Sequence, residues 1–249
     1  VSTQTRIEVL TEGILSRMII DDPTLDGVGA VIFDEFHERS LVADETLALV
    51  RQTRDVLRPD LKIVVMSATI DAREICSGLG AGLVESEGRM FPVEIVHSRT
   101  DTDERNAAEA VAAAVREAHS RHEGDILAFL PGEADIRHCA EMLGSALGAT
   151  RVFPLYGMLS PEEQRYAIAP SREGERKVVL ATPIAETSIT IEGVRVVVDS
   201  GLCRKMVYDP QSGLSRLETV RISKDMASQR SGRAGRVAPG ICYRLWSLA

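Results

Sequence analysis

With 249 residues, 44% of them hydrophobic, the chain has material for one large or two ordinary folded domains, and intrinsic disorder is excluded. Its formal charge of −8 argues against broad electrostatic attraction to nucleic acid, but not against a narrow track of amides, hydroxyls and a few arginines. No apolar run is long enough to span a bilayer and no signal peptide precedes the first domain pattern, so a cytoplasmic protein with no membrane partner is expected. The four cysteines, Cys76, Cys139, Cys203 and Cys242, are far apart and lack metal-ligand spacing, as befits reduced thiols. His119 and His122 sit three apart among Glu117, Ser120, Arg121 and Glu123, with no third ligand nearby; a solvated helix end is the expectation.

Taken in order, residues 6–20 read as helical segments with a break near Gly13, and Asp21-Asp22-Pro23 interrupts them. Residues 28–33 are apolar and β-branched, a buried strand that runs abruptly into Asp34-Glu35-Phe36-His37. Ligands of parallel sheets sit past the carboxyl ends of strands. Neighbouring strand residues point to opposite sides, so Asp34 and Glu35 are expected to face two objects. One carboxylate would hold a metal ion through its water shell, and the other would polarise an attacking water, which is the acidic half of a nucleoside-triphosphatase site. As a lone pair these acids would only end a strand; the elements downstream change that reading.

Residues 41–57 carry apolar side chains at helical spacing and end near Arg58-Pro59. Residues 61–66 form the next buried strand, running into Ser67-Ala68-Thr69, with Asp71 as cap of a short helix. A strand at 93–96 is read as the last of this lobe. The polar stretch 99–105 is taken as a boundary, giving domains at 1–98 and 99–249. The chain contains no Gly-Lys-Ser/Thr phosphate loop, and none of its lysines (Lys62, Lys177, Lys205, Lys224) follows a glycine. A fragment whose upstream part carried that loop is expected, a degenerate enzyme being the alternative.

The second half alternates strand and helix. An alanine-rich helix over 107–118 leads to a strand over 124–130, the corner Pro131-Gly132-Glu133, a helix over 137–147 and a strand over 152–155. Ser160-Pro161-Glu162-Glu163 is a helix start in which serine caps, proline takes the first position and Glu163 completes a capping box. A strand over 176–180 enters a Thr-rich loop, 181–193, and a strand over 194–199 follows. Residues 206–208 and 215–222 pair as a hairpin around Asp209-Pro210-Gln211-Ser212-Gly213. In Gln229-Arg230-Ser231-Gly232-Arg233-Ala234-Gly235-Arg236, two arginines stand three apart, hence on one helix face, and the glycines let another surface come close. Guanidinium groups stabilise charge on a transferring phosphoryl, typically by roughly a thousandfold or more in rate, and Gln229 is placed to orient the water. A final strand over 240–246 closes the pattern.

Taken together these stretches resemble the DEAH-box helicases of superfamily 2, and bacterial HrpB-type helicases within them. Thr11-Glu12-Gly13-Ile14-Leu15 resembles motif Ib, Asp34-Glu35-Phe36-His37 motif II with Phe in place of Ala, and Ser67-Ala68-Thr69 motif III. Pro131-Gly132-Glu133 resembles motif IV, the run 181–193 motif V with Pro183 in place of Asn, and 229–236 motif VI. The resemblance implies an α/β fold of two RecA-like parallel-sheet lobes, the first truncated at its N-terminal end, and an ATP-dependent RNA helicase core using ATP and Mg2+.

In this reading Glu35, Gln229, Arg233 and Arg236 are catalytic, and Asp34 with Glu35 holds Mg2+ through water. His37, Ser67 and Thr69 couple the acidic site to its neighbours; Ser188, Thr190 and Glu192 sense nucleotide. Thr11, Gly13, Gly132, Thr182 and Thr187 touch the RNA backbone, whose phosphates position a protein without carrying sequence. Nucleotide is expected in the cleft between lobes. The partners implied are RNA and the upstream and downstream parts of the parent chain, in a monomer, and a fragment without the phosphate loop should be nearly inactive alone. The rival readings are a non-catalytic RNA- or protein-binding pseudo-ATPase and a DNA translocase of the same superfamily.

Overall fold

Alternating stretches of strand and helix predict parallel sheets, because a parallel crossover needs a long connection. A computed structural model bears this out over the residues it describes, 4–38, 40–67, 72–86, 91–183, 191–211 and 213–248. They fall into two units, Val1–Glu87 and Gly88–Ala249.

The first unit pairs β1 (Ala30–Phe33) in parallel with β2 (Lys62–Val65), with Ile32 opposite Val64. Strand alternation gives the pair two unlike faces. Val31, Phe33 and Leu61 are buried against α1 (Glu12–Asp21) and α2 (Leu41–Val56), whereas Ile32 and Val64 remain 59% and 43% exposed on the other side. In α2 the inward stripe is Ala43, Thr46, Val50 and Thr53, at helical spacing. Ser40 starts this helix, its hydroxyl accepting from the Ala43 amide at 2.9 Å. The Arg58 guanidinium fastens the loop before β1 by donating to the carbonyls of Thr24, Leu25 and Val28. A further helix, α3, spans Ala72–Leu79. The helical segments expected over 6–20 are corrected here: described residues before Glu12 are not helical, and Gly13 lies inside the first turn of α1 instead of breaking it.

In the second unit one six-stranded, all-parallel sheet runs in the order β3 (Val93–His97), β10 (Gly240–Arg244), β7 (Val194–Asp199), β4 (Asp125–Phe129), β6 (Lys177–Ala181) and β5 (Arg151–Leu155). Strands β4 and β6 are buried along their whole length, as strands covered on both faces must be. Ile126, Ala128, Val178 and Leu180 face α4 (Ala107–Arg121) and α5 (Glu133–Leu143); Leu127, Phe129, Val179 and Ala181 face α6 (Pro161–Ile168) and the segment around Ala234. Pro154 lies in β5, an edge strand, where a missing amide donor is tolerated. The capping box at Ser160 and Glu163 is formed as read from the sequence.

Three further expectations change. The strand at 93–97, assigned to the first lobe, pairs with β10 and therefore belongs to the second; the division falls near residue 87, not 98. Nothing local in Val93-Glu94-Ile95-Val96-His97 says which distant strand it will join. His119 and His122 are half-buried, not solvated: His119 Nε2 lies 2.9 Å from Thr150 Oγ1, and His122 Nε2 2.7 Å from the Tyr243 hydroxyl. The hairpin is longer than its turn suggested, with β8 (Leu202–Asp209) and β9 (Leu214–Arg221) antiparallel.

Candidate functional site

In the first unit the acidic stretch is built by a strand that stops early. β1 ends at Phe33, so Asp34 and Glu35 occupy a turn, and the strand alternation expected to part them does not apply. Glu35 instead takes a left-handed conformation, with φ of +49°, where non-glycine residues cost about 1–3 kcal/mol. The surroundings hold it there. The Glu35 amide donates to Asp34 Oδ1 at 2.9 Å, and the Phe36 amide donates to the Met66 carbonyl at 3.0 Å. Phe36 is buried with its ring edge-on to Phe33, centroids 6.2 Å apart. His37 has a side chain only 5% exposed and brings Nε2 to 3.4 Å from Glu35 Oε2. Asp34 is exposed and Glu35 half-buried. Ser67 follows Met66, whose amide donates back to the Phe33 carbonyl at 2.8 Å, so the end of β2 is stitched to the acidic turn. Thr69 lies outside the described residues.

Thr11 is the N-cap of α1, exposed, with no side-chain cap bond; its carbonyl accepts from the Ile14 and Leu15 amides. Gly13 is exposed in the first turn, where helix amides point outward and suit an anion.

In the second unit the parallel sheet sorts its residues by edge. Gly132, the N-cap of α5, and Thr182 both follow carboxyl ends of strands, β4 and β6. The Thr182 amide donates to the Leu155 carbonyl at 3.1 Å. Gly132 is buried, with the Arg204 side chain and Asp135 Oδ2 at 3.3–3.5 Å from where a Cβ would stand. The exposed Arg204 side chain thus lies beside Gly132 at the carboxyl edge. Burial raises the Asp135 carboxyl above its ordinary value, partly offset by that arginine. Thr187, Ser188 and Thr190 lie outside the described residues.

Glu192 stands at the opposite, amino edge, exposed in the turn ahead of β7. Helix α7 (Lys224–Gly232) bridges the two edges. It starts where the Ile222 amide reaches the Gly201 carbonyl, past the end of β7, and Ser223 caps it by accepting from the Met226 amide. It finishes in a 3₁₀ turn, Arg233–Gly235, whose Gly235 carbonyl accepts from the Phe91 amide ahead of β3. Arg236 follows, four residues before β10. Glu192, Arg233 and Arg236 thus share the amino edge, while Gly132 and Thr182 lie across the sheet. Arg233 and Arg236 do not share an α-helical face as expected: the first is 6% exposed in the 3₁₀ turn, and the second is exposed beyond it. Gln229 is half-buried in the last turns of α7.

Two residues given no role from the sequence are central here. Asp199, at the carboxyl end of β7, and Arg230, in α7, are both fully buried and meet at 2.8 Å. For Asp199 the signal was a charge closing an apolar strand; Arg230, in a mostly polar and largely exposed helix, gave none. Lys177, by contrast, is spent structurally: its buried ammonium donates to the Ala167 and Ala169 carbonyls at the end of α6, and burial lowers its affinity for the proton.

Residues 107–238 match the family described as helicase conserved C-terminal domain. The chain is 50% identical over 253 aligned residues to the ATP-dependent RNA helicase HrpB of Escherichia coli (strain K12), with 98% of this chain and 30% of the relative covered. It is 40% identical to the pre-mRNA-splicing factor ATP-dependent RNA helicase prp22 of Schizosaccharomyces pombe, with 99% and 22% covered. A crystal structure of E. coli DEAH/RHA helicase HrpB superimposes with a TM-score of 0.92 at 49% identity, covering all of this chain and 32% of that one. The chain spans less than a third of the length of these curated relatives.

Proposed function

The chain belongs to the DEAH-box helicase family, and we propose that it forms most of the core of an ATP-driven RNA helicase. Each unit contributes its own share of the chemistry. In the first, the exposed Asp34 and half-buried Glu35 offer hard oxygen donors of the kind Mg2+ takes through water. That ion neutralises charge on the β- and γ-phosphates when bound. Glu35 acts as general base toward the attacking water, and His37, within 3.4 Å, keeps its carboxylate in place. Ser67 and Thr69 pass the state of the acidic turn onward.

In the second unit Arg233 and Arg236 stabilise negative charge developing on the transferred phosphoryl, and Gln229 orients water. Ser188, Thr190 and Glu192 report nucleotide occupancy. Thr182, with Arg204 beside Gly132, grips RNA phosphates at the carboxyl edge and Thr11 and Gly13 do so at the α1 surface; Thr187 is assigned the same role. The observation that supports this reading is a partition among the described residues of the second sheet: Glu192, Arg233 and Arg236 lie at one edge and Gly132 and Thr182 at the other, so one sheet would link hydrolysis to grip. We expect a cytoplasmic monomer as the working unit.

Glu35→Gln in the full-length protein tests the assignment, since it keeps shape and removes the base. RNA-stimulated ATP turnover should fall by about a hundredfold or more, while RNA binding persists. Undiminished turnover in that variant would sink the enzymatic reading and favour a binding module.

A further inference from the structure

We infer that Arg230, through its buried pair with Asp199, is a positioning residue that sets the rotation of α7 and thereby aims Gln229 and Arg233. The inference rests on the ATPase reading above. Arg230 is the largest fully buried side chain among the described residues. The inward face of α7 is otherwise small, Ala227 and Ser231, so the helix has little apolar ridge to fix how it turns on the sheet. The guanidinium supplies what that face lacks.

Its constraints are directional. Nη1 donates to Asp199 Oδ1 at 2.8 Å and to the Leu202 carbonyl at 3.3 Å. The guanidinium carbon lies 4.7 Å from the centroid of the Phe129 ring. Phe129 and Asp199 are register partners across β4 and β7, so both anchors belong to one rung of the rigid sheet. Asp199 Oδ1 is held in turn by the Gly201 amide at 2.9 Å. Charge, hydrogen-bond direction and ring plane therefore fix one point on the helix from three sides. Gln229 is the adjacent residue and Arg233 lies three residues on, so a change in helix rotation displaces both. A buried charge that loses its partner does not stay where it was, and a displacement of about 1 Å in a catalytic group can cost roughly a hundredfold in rate.

The test uses the full-length protein, measuring kcat and KM for ATP at saturating RNA, per folded molecule. Arg230→Met and Asp199→Asn should each lower kcat by about tenfold or more while KM changes less than about threefold. Arg230→Lys should recover part of the loss, because it restores charge without the planar fork. A purely structural role predicts a lower melting temperature with kcat per folded molecule unchanged, and that result overturns the inference. Should Arg230→Met and Asp199→Asn both fail to fold, Phe129→Leu decides. It leaves the ion pair intact and removes only the ring platform; an unchanged kcat there also overturns the inference. Wild-type protein without RNA-stimulated turnover would take down the ATPase reading and this inference with it. An active wild type that Arg233→Ala silences, with unaffected Arg230 and Asp199 variants, rejects this inference alone.

Discussion

Glu35 is the residue where sequence and backbone say different things. From the sequence it is the second acid of a pair at a strand end; in the fold it sits at φ +49° with Asp34 accepting its amide. Propensity disfavours that conformation for any residue with a Cβ, so sequence reasoning had no way to reach it. The strain is held by Phe36, whose burial and bond to Met66 fix the next residue. Gly235 is the converse case. Its role was foreseen as permitting close approach, and the approach is to the chain's own backbone: a Cβ there would stand 2.5 Å from the Phe91 carbonyl oxygen and 2.8 Å from Val93 Cγ2. Gly235→Ala should therefore cost about 1–3 kcal/mol, as overpacking does, and chemical denaturation of the folded protein measures it. Because Gly235 lies between Arg233 and Arg236, the same variant should lower turnover more than Gly13→Ala, whose Cβ would meet nothing within 4 Å.

At the scale of elements, the strongly patterned pieces were legible: α2, β7, the capping box of α6 and the hairpin all appear where hydrophobic period and turn chemistry put them. Pairing between distant pieces was not, because register and partner depend on surfaces that no short window contains. Strand β3 went to the wrong lobe for that reason, and His119 and His122, in the last turn and at the C-cap of α4, were read as solvated when Thr150, just ahead of β5, and Tyr243 of β10 lie against them. His119 makes the difference measurable. Burial, and then the nearby Arg176 cation, lower its affinity for the proton below that of an exposed imidazole. The folded state thus binds fewer protons than the unfolded one below about pH 6.5, and stability must fall as pH drops through that value. His119→Gln keeps a hydrogen-bonding group near Thr150 and cannot titrate. Its melting temperature should decline less than wild type between about pH 7 and pH 5, and parallel declines would mean that the imidazole is not desolvated.

At the scale of the molecule, the cation inventory decides what these 249 residues do by themselves. Phosphoryl transfer at a P-loop needs a lysine and a run of backbone amides on the β- and γ-phosphates, and arginines on the developing charge cannot replace them. Four lysines are present and none follows a glycine. Lys177 is buried on the carbonyls at the end of α6, Lys62 lies in β2, Lys205 in β8 and Lys224 at the start of α7. Each sits in a regular element and not in a glycine-rich loop, so none is free to cradle a triphosphate in the P-loop manner. Residues 1–249 expressed alone should fold, with the second unit's six-stranded sheet intact, and yet hydrolyse ATP only slowly whether or not RNA is added. A coupled ATPase assay with and without RNA, alongside the same assay on full-length protein, measures this. Strong RNA-stimulated turnover by residues 1–249 alone would mean that another cation, the exposed Arg204 or Arg236 among them, has taken over the phosphates, and the roles assigned to both sheet edges would have to be redrawn.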